Sequence, residues 1–234
     1  MRKINIGIDG PAGSGKGTVA KIVAEELNYA YVDSGSMYRL LTYLIIKNNI
    51  DINDDEKINA FLIKEYDYKV RNNKVYYKEE DVSEKIRSKE VNELVSVVAG
   101  KSYVRKFLIE IQKQLAKEKG VVMDGRDITS VVLKDAELKI YLDASFEKRV
   151  ERRYKEEKNK KMETSLEIVR EIIKNRDYLD SVVNKALVRS EDSILVDTSD
   201  ITANEAASRV LELARERINN DWSGSSIYRK TKCW

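Results

Sequence analysis

The stretch Ile4 to Thr18, Ile-Asn-Ile-Gly-Ile-Asp-Gly-Pro-Ala-Gly-Ser-Gly-Lys-Gly-Thr, restricts the fold more than any other part of the chain. Ile4, Ile6 and Ile8 are β-branched and alternate, which predicts a short buried strand. Gly10, Pro11, Ala12, Gly13, Ser14 and Gly15 follow at once, then Lys16, Gly17 and Thr18, then a helical recurrence of Val19, Ile22, Val23 and Leu27. Strand, glycine loop, lysine and helix in that order form a cradle for polyphosphate. Successive backbone N–H groups turn inward, the helix N-terminus adds partial positive charge and the lysine adds a full one. The spacing Gly10-x-x-x-x-Gly15-Lys16 fits the phosphate-loop template, with Gly17 where the template has Ser or Thr and Thr18 directly behind it. The loop points to a nucleoside triphosphate and leaves open what is done with it.

Composition then removes several classes of chemistry. The chain has no histidine, so the usual general base, the usual zinc ligand and any Ser-His-Asp scheme are excluded. Its single cysteine, Cys233, lies near the C-terminus, which rules out an internal disulfide and a cysteine metal site. A formal net charge of +3 is too small to suggest a nucleic-acid partner, so anion binding must come from local arginine clusters. With 42% hydrophobic and 35% charged residues the balance is that of a globular chain. The 234 residues suit one α/β domain with an insertion. No charged-then-apolar leader precedes the loop and no apolar run approaches the ~18 residues that span a bilayer. A soluble cytoplasmic protein without membrane contact is expected.

Taken in order, the chain alternates strand and helix signals. Tyr29 to Val32 predict a second strand, ending in Asp33-Ser34-Gly35-Ser36-Met37-Tyr38-Arg39. Ser36 is the expected N-cap of a helix carrying Met37, Leu40, Leu41, Leu44 and Ile45. Polar residues between a strand end and a helix start occur where open α/β sheets bind ligands, although a capped helix with a solvated Arg39 would read the same. Asp51 to Ile63 predict a short acidic-capped helix. Tyr66–Val70 and Lys74–Lys78 alternate around Asn72-Asn73, which predicts a β-hairpin in an inserted subdomain. Ser88 is expected to cap a helix with Val91, Leu94, Val95 and Val98, and Ser102 to begin another with Val104, Phe107, Leu108, Ile111 and Leu115. Arg105 falls in the first turn of the latter, where a cation opposes the helix dipole, as a ligand-facing residue would.

Val121 to Asp124 predict a buried strand ending in a carboxylate, and in phosphate-loop proteins such an aspartate lies near the magnesium. Gly125-Arg126-Asp127 places a cation and an anion at the same strand end, which is either a salt bridge or part of a site. Leu138–Leu142 predict a further strand, and Ser145 a helix cap before Phe146 and Val150. The charged run Glu147 to Glu163, with Arg149, Arg152 and Arg153, is either a solvated face or an arginine-bearing lid over phosphates. A helix from Thr164 or Ser165 passes Leu166, Val169, Ile172, Ile173, Arg176, Asp177 and Asp180. Ile194–Val196 predict the last strand and Ala203–Ile218 a closing helix. Residues 219–234 lack periodicity and are expected to be a disordered or interaction tail. The alternation predicts a parallel sheet with helices on both faces.

Five segments carry a resemblance: Ile8–Thr18, Asp33–Arg39, Asp124–Asp127, Tyr141–Ser145 and Arg176–Ser181. They resemble the bacterial cytidylate kinases, in that family's order and over about residues 3 to 217, and many nucleoside monophosphate kinases share the glycine at position 17. The resemblance implies a five-stranded phosphate-loop fold over 1–218. In it the core is about 1–35, 101–145 and 165–218, the acceptor-binding insertion about 36–100 and the arginine-rich lid about 146–164. It implies a monomer that uses ATP, CMP or dCMP and Mg2+. Lys16 and the loop from Gly10 to Thr18 would hold the donor phosphates, with Thr18 and Asp124 near the magnesium through water. Arg39 and Arg126 would clamp the acceptor phosphate, and Ser34, Ser96, Arg105 and Asp127 would face acceptor and base. Arg176 and Asp180 would lie near the ribose and phosphates, while Arg149 and Arg153 would stabilise the transferring group.

Chemistry agrees with that base pocket, because cytosine offers an N4 amino donor to a carboxylate and N3/O2 acceptors to a guanidinium. Uracil reverses the group at position 4, so Asp127 would repel it. Two departures from the family pattern stand out: Val183 where an arginine is usual, and Leu187 where a proline is usual. A kinase of the same fold with another small acceptor is the nearest alternative. A GTP switch would need Asn-Lys-x-Asp, and Asn184-Lys185 is followed by Ala-Leu. An RNA-binding protein using the basic segments would need more net charge.

Overall fold

A computed structural model describes residues 2–71, 74–159 and 163–219. The chain begins with β1 (Asn5–Asp9), α1 (Lys16–Leu27), β2 (Ala30–Asp33) and α2 (Ser34–Lys47). Next come α3 (Asp55–Glu65), β3 (Lys69–Arg71), β4 (Lys74–Tyr77), β5 (Glu80–Asp81), a 3-10 turn (Lys85–Arg87), α4 (Lys89–Gly100) and α5 (Ser102–Leu115). They are followed by β6 (Val121–Gly125), a π-helical turn (Ile128–Val132), β7 (Leu138–Asp143), α6 (Phe146–Asn159) and α7 (Leu166–Tyr178). A second π turn (Leu179–Val183), β8 (Ile194–Asp197) and α8 (Ala203–Asn219) close the described chain.

Five strands pair in parallel in the order β2-β6-β1-β7-β8. Alternation along β6 explains the two covered faces, because successive side chains point to opposite sides. Val122 packs with Ile4, Ile6 and Ile8 against α1 and α8, whereas Val121 and Met123 pack with Val32, Ala116, Ile128 and Val132 on the other side. The order reverses at β1, flanked by β6 and β7, so the C-terminal end of β1 is a switch point where such sheets bind ligands. The phosphate loop leaves from that end.

The expected acidic-capped helix starts at Asp55 rather than at Asp51. Asp51 accepts instead from the N–H of Asn53 at 2.9 Å, a local turn that competes with helix, and Asp54 provides the cap through Lys57 N–H at 3.0 Å. Ser36 is not the cap of α2. The helix begins two residues earlier, and Asp33 Oδ1 accepts from Ser36 N–H at 3.0 Å. A carboxylate that ends a strand caps as well as a serine does, and Asp33 is placed first. Ser88 and Ser165 cap α4 and α7 as expected.

The inserted hairpin forms with Lys69 opposite Tyr76 and Arg71 opposite Lys74, while its expected Asn72-Asn73 turn lies outside the described residues. A third short strand, β5, joins it through a turn with positive φ at Lys78 and Glu79. Neither residue belongs to the usual turn formers, so no local pattern marks this turn. This small sheet is anchored on α2: Leu40 and Leu44 pack with Val75, Val82 and Ile86, whereas Met37, Leu41 and Ile45 pack with Ile58, Leu62, Val98, Val104 and Leu108. Residues 220–234, the bulk of the expected tail, lie outside the description. Among the described residues no helix is long and apolar enough to cross a membrane.

Candidate active site

Glycine is required at the start of the loop by close approach. A Cβ on Gly10 would lie 2.0 Å from the carbonyl oxygen of Leu142, and the residue has φ +150°. Gly15, with φ +93°, starts α1 without a side-chain cap, leaving the first N–H groups of that helix available to a ligand. Lys16 is buried, and its Nζ donates to the Pro11 carbonyl at 2.7 Å and to Ser14 Oγ at 3.5 Å. Burial and the nearby Arg126 push its ammonium well below the ordinary lysine range, against the pull of Asp124. A bound polyphosphate would reverse that balance.

Two side chains hold the loop from beneath and beside it, and a third anchors the strand it leaves. Arg149 is buried and donates to Ala12 O at 3.1 Å, Ala144 O at 3.1 Å and Asp177 Oδ2 at 2.6 Å. Arg152 Nη1 reaches Thr198 Oγ1 at 3.0 Å and Ser14 O at 3.5 Å. Asp9, wholly buried at the end of β1, accepts from Ile128 N–H and Thr129 N–H, both at 2.8 Å, and from the Thr129 hydroxyl at 2.7 Å. Burial raises the Asp9 carboxyl, and these hydrogen bonds oppose the rise.

Opposite Lys16, the register of β2 and β6 sets Asp33 beside Asp124. Burial, then the charge of Asp33, pushes the Asp124 carboxyl up to about 7. Its Oδ1 accepts from the Tyr31 hydroxyl at 2.8 Å. Asp33 is committed elsewhere, to the α2 cap and to Arg87 Nη2 at 3.0 Å. Thr18, one turn into α1, is exposed. Among the described residues no group of three or more His, Cys, Asp or Glu could enclose a metal. One available carboxylate facing a phosphate cradle fits Mg2+, which keeps several waters and takes its other ligands from substrate phosphates.

The acceptor-side residues of the sequence reading come from five segments: 34–39, Ser96, Arg105, 126–127 and 176–180. Arg39, buried on α2, donates to Asn92 Oδ1 at 2.7 Å and Ile86 O at 3.4 Å. Burial, then Arg176 and Arg87, pushes it down to about 9. Arg126 Nε donates to Asp180 Oδ2 at 2.7 Å, and Arg176 Nε lies 3.9 Å from the same oxygen. Burial lowers Arg126, but Asp180, Asp124 and Asp177 together outweigh it and the group ends above its ordinary value. Burial, then Arg126, pushes Arg176 down to about 10. Arg153, paired with Glu157 at 2.8 Å, adds its repulsion to both Arg39 and Arg176.

Beside this cluster Arg105 and Asp127 form an ion pair, and Ser34 Oγ donates to Asp124 O at 2.7 Å. Gly125 between them has no room for a side chain, since a Cβ would lie 2.5 Å from Ser34 Oγ. Tyr38 borders the same pair, and burial pushes its phenol up to about 12. Ser96 is buried, and its carbonyl accepts from Asn184 Nδ2 at 3.3 Å. Val183 is 55% exposed at the end of the second π turn.

Sequence reasoning placed no role on Asp9, Tyr31, Arg87, Asn92 or Asp177. Each gains its place through a partner distant in the chain, and only Asp9, a charged residue inside a buried strand pattern, carried a visible sign. An apolar groove of about 640 Å³ between α3 and α5, lined by Ile63, Phe107, Ile111 and Leu115, contains none of the site residues.

Comparison with known proteins agrees with this geometry. The family model described as cytidylate kinase matches residues 6–216. A cytidylate kinase of Listeria monocytogenes serotype 4a (strain HCC23) is 45% identical over 225 residues, covering 94% of this chain and 99% of its own. One of Enterococcus faecalis (strain ATCC 700802 / V583) is 41% identical over 221 residues, covering 93% and 98%. Among solved structures, an uncharacterized protein from Eubacterium ventriosum ATCC 27560 superposes with a TM-score of 0.53 at 14% identity, over 91% of this chain and 99% of that one, a likeness of fold alone. With its phosphate loop, its five-stranded parallel sheet and a family match running nearly end to end, the chain belongs to the cytidylate kinase family.

Proposed function

We propose that the protein transfers the terminal phosphoryl group of ATP to CMP or dCMP, giving ADP and CDP or dCDP. The observation that supports this most directly is one juxtaposition. The Lys16 loop and the arginines 39, 126 and 176 meet at one end of the sheet, with the Arg105–Asp127 pair beside them. Loop N–H groups and Lys16 take the β- and γ-phosphates of the donor. Arg39 and Arg126 take the acceptor phosphate and align its oxygen with the donor, so proximity supplies much of the rate. Arg176, Arg149 and Arg153 stabilise charge on the transferring group, where fixed cations need no reorganisation. No neutral-pKa base is needed in such a transfer, which suits a chain without histidine.

Thr18 and Asp124 would hold Mg2+ through water, and the ion supplies charge neutralisation at the nucleotide phosphates. Asp127 accepts from the cytosine amino group and Arg105 serves its ring acceptors, with Ser34 and Ser96 completing the pocket. Asp180 orients Arg126 and Arg176 toward phosphate and sugar. The same reading assigns 36–100 to acceptor binding and 146–164 to a lid, and takes the protein as a cytoplasmic monomer without nucleic-acid or membrane partners.

The test is steady-state transfer from Mg-ATP to CMP, dCMP, UMP and AMP, with wild type beside Asp127→Ala. Preference for CMP and dCMP that collapses in the variant is expected. Equal use of UMP by wild type would remove the cytosine assignment, and no transfer to any acceptor would remove the kinase.

A further inference from the structure

Position 17 is where the phosphate-loop template carries a hydroxyl, and this chain has glycine there. The space a side chain would take is bordered by a hydroxyl from another element. A Cβ built on Gly17 would lie 3.4 Å from Tyr31 Oη, and outside its own helix and chain neighbours no other described atom comes within 4 Å. That phenol donates to Asp124 Oδ1 at 2.8 Å. It therefore stands between the first turn of α1 and the carboxylate at the end of β6.

The placement follows from the sheet. Tyr31 lies two residues before Asp33 on β2, opposite Val122, so its side chain leaves the same face as that of Asp33 and runs toward the C-terminal end of β6. Lys21 on α1 sits over the ring at 5.6 Å from its centroid, a cation–π contact that pins the ring against the helix. A Cβ at position 17 would stand in ordinary contact with the phenol oxygen, so Tyr31 is the hydroxyl that borders the helix start at a position without one of its own.

We propose that Tyr31 is a positioning residue of the donor site, whose hydroxyl holds the Asp124 carboxylate from β2. It fixes the Asp124 carboxylate in the orientation that takes magnesium-nucleotide. This inference rests on the phosphoryl-transfer reading of the same site.

Tyr31→Phe removes the hydroxyl and keeps the ring and its Lys21 contact. The expected result is a rise of about tenfold in the Mg2+ concentration for half-maximal activity, as for other groups that orient a metal-binding carboxylate. Mn2+ binding to the complex with β,γ-methylene-ATP, read by electron paramagnetic resonance, falls by the same ~10-fold factor. The KM for CMP and the melting midpoint stay near wild type, which a merely structural role would not give. Asp124→Asn weakens Mn2+ binding, and adding Tyr31→Phe to it weakens binding no further, because the phenol acts through that carboxylate.

A Tyr31→Phe protein that binds Mn2+ like wild type, or a double variant that binds it more weakly than Asp124→Asn alone, overturns the inference while wild-type transfer to CMP leaves the kinase reading intact. Wild type that binds Mn2+ through Tyr31 but transfers to no acceptor overturns the kinase reading and leaves Tyr31 in place.

Discussion

The donor and acceptor halves of the site are built from different materials. On the donor side the chain offers backbone: glycines in positive φ, a capless helix start and one lysine held by the loop's own carbonyl. Arg149 and Arg152 also steady that backbone, bonded to Ala12 O and Ser14 O. On the acceptor side the chain offers side chains, and their charges are not balanced. Arg39 and Arg176 are pushed down by burial and by their arginine neighbours. Guanidinium groups stay protonated in proteins, so this crowding is a repulsion that an arriving phosphate relieves. The donor half is pre-shaped, and the acceptor half is held in tension until its substrate comes.

Breaking the donor half should cost most. Lys16→Ala is expected to lower kcat/KM by ~10³-fold or more while the fold survives, measured by coupled assay and circular dichroism. Equal loss of CMP affinity in a calorimetric titration would contradict the division between halves. Asp127→Ala should reduce the preference for CMP over UMP by about 10²-fold, since an unpaired polar group is what rejects the wrong base. The KM for ATP should stay within about twofold, as a change confined to the acceptor side requires.

The tension is testable by thermal shift. CMP at ~100 times its dissociation constant should add about 2.7 kcal/mol to wild type, and Arg39→Met should lose more than half of that gain. An undiminished gain would place the acceptor phosphate elsewhere. Asp124 gives a pH test of the donor half without nucleotide. Its folded carboxyl sits at about 7, above the ordinary 3.8. Stability tied to its neutral form is therefore full below pH 3.8 and lost as pH rises through 7. Asp124→Asn should melt about 3 °C higher relative to wild type at pH 8 than at pH 5. The smallest effect is expected from Val183→Arg, a cation added at an exposed edge of the acceptor cluster, which should lower the KM for CMP by about threefold. No change in KM would mean that the cluster is already saturated with charge.

How far the sequence could be read follows the same division. The donor loop was legible because backbone conformation is written locally, in glycines and in the strand and helix beside them. Caps at Ser88 and Ser165 were legible for that reason, while in Asp33-Ser34-Gly35-Ser36 the expectation fell on Ser36 and the cap is Asp33. The acceptor network is non-local. Arg39 meets Asn92 at a separation of 53 residues, Arg126 meets Asp180 at 54 and Arg105 meets Asp127 at 22. No periodicity records such meetings, so those arginines could be assigned only through the family resemblance. The charged run after Phe146 shows the limit well. Its spacing could not say that Arg149 turns under the loop, toward Ala12 O, while Arg153 is felt by Arg39 and Arg176.

Asp9 has one more consequence. By gripping Ile128 and Thr129 it welds the strand that launches the donor loop to the turn that follows Arg126 and Asp127. The strand that launches the donor loop and the Arg126–Asp127 edge of the acceptor site are thus tied through one carboxylate, and their spacing is set in part when the chain folds. Damage at Asp9 should therefore appear as slow transfer, with ADP and CDP still formed in step.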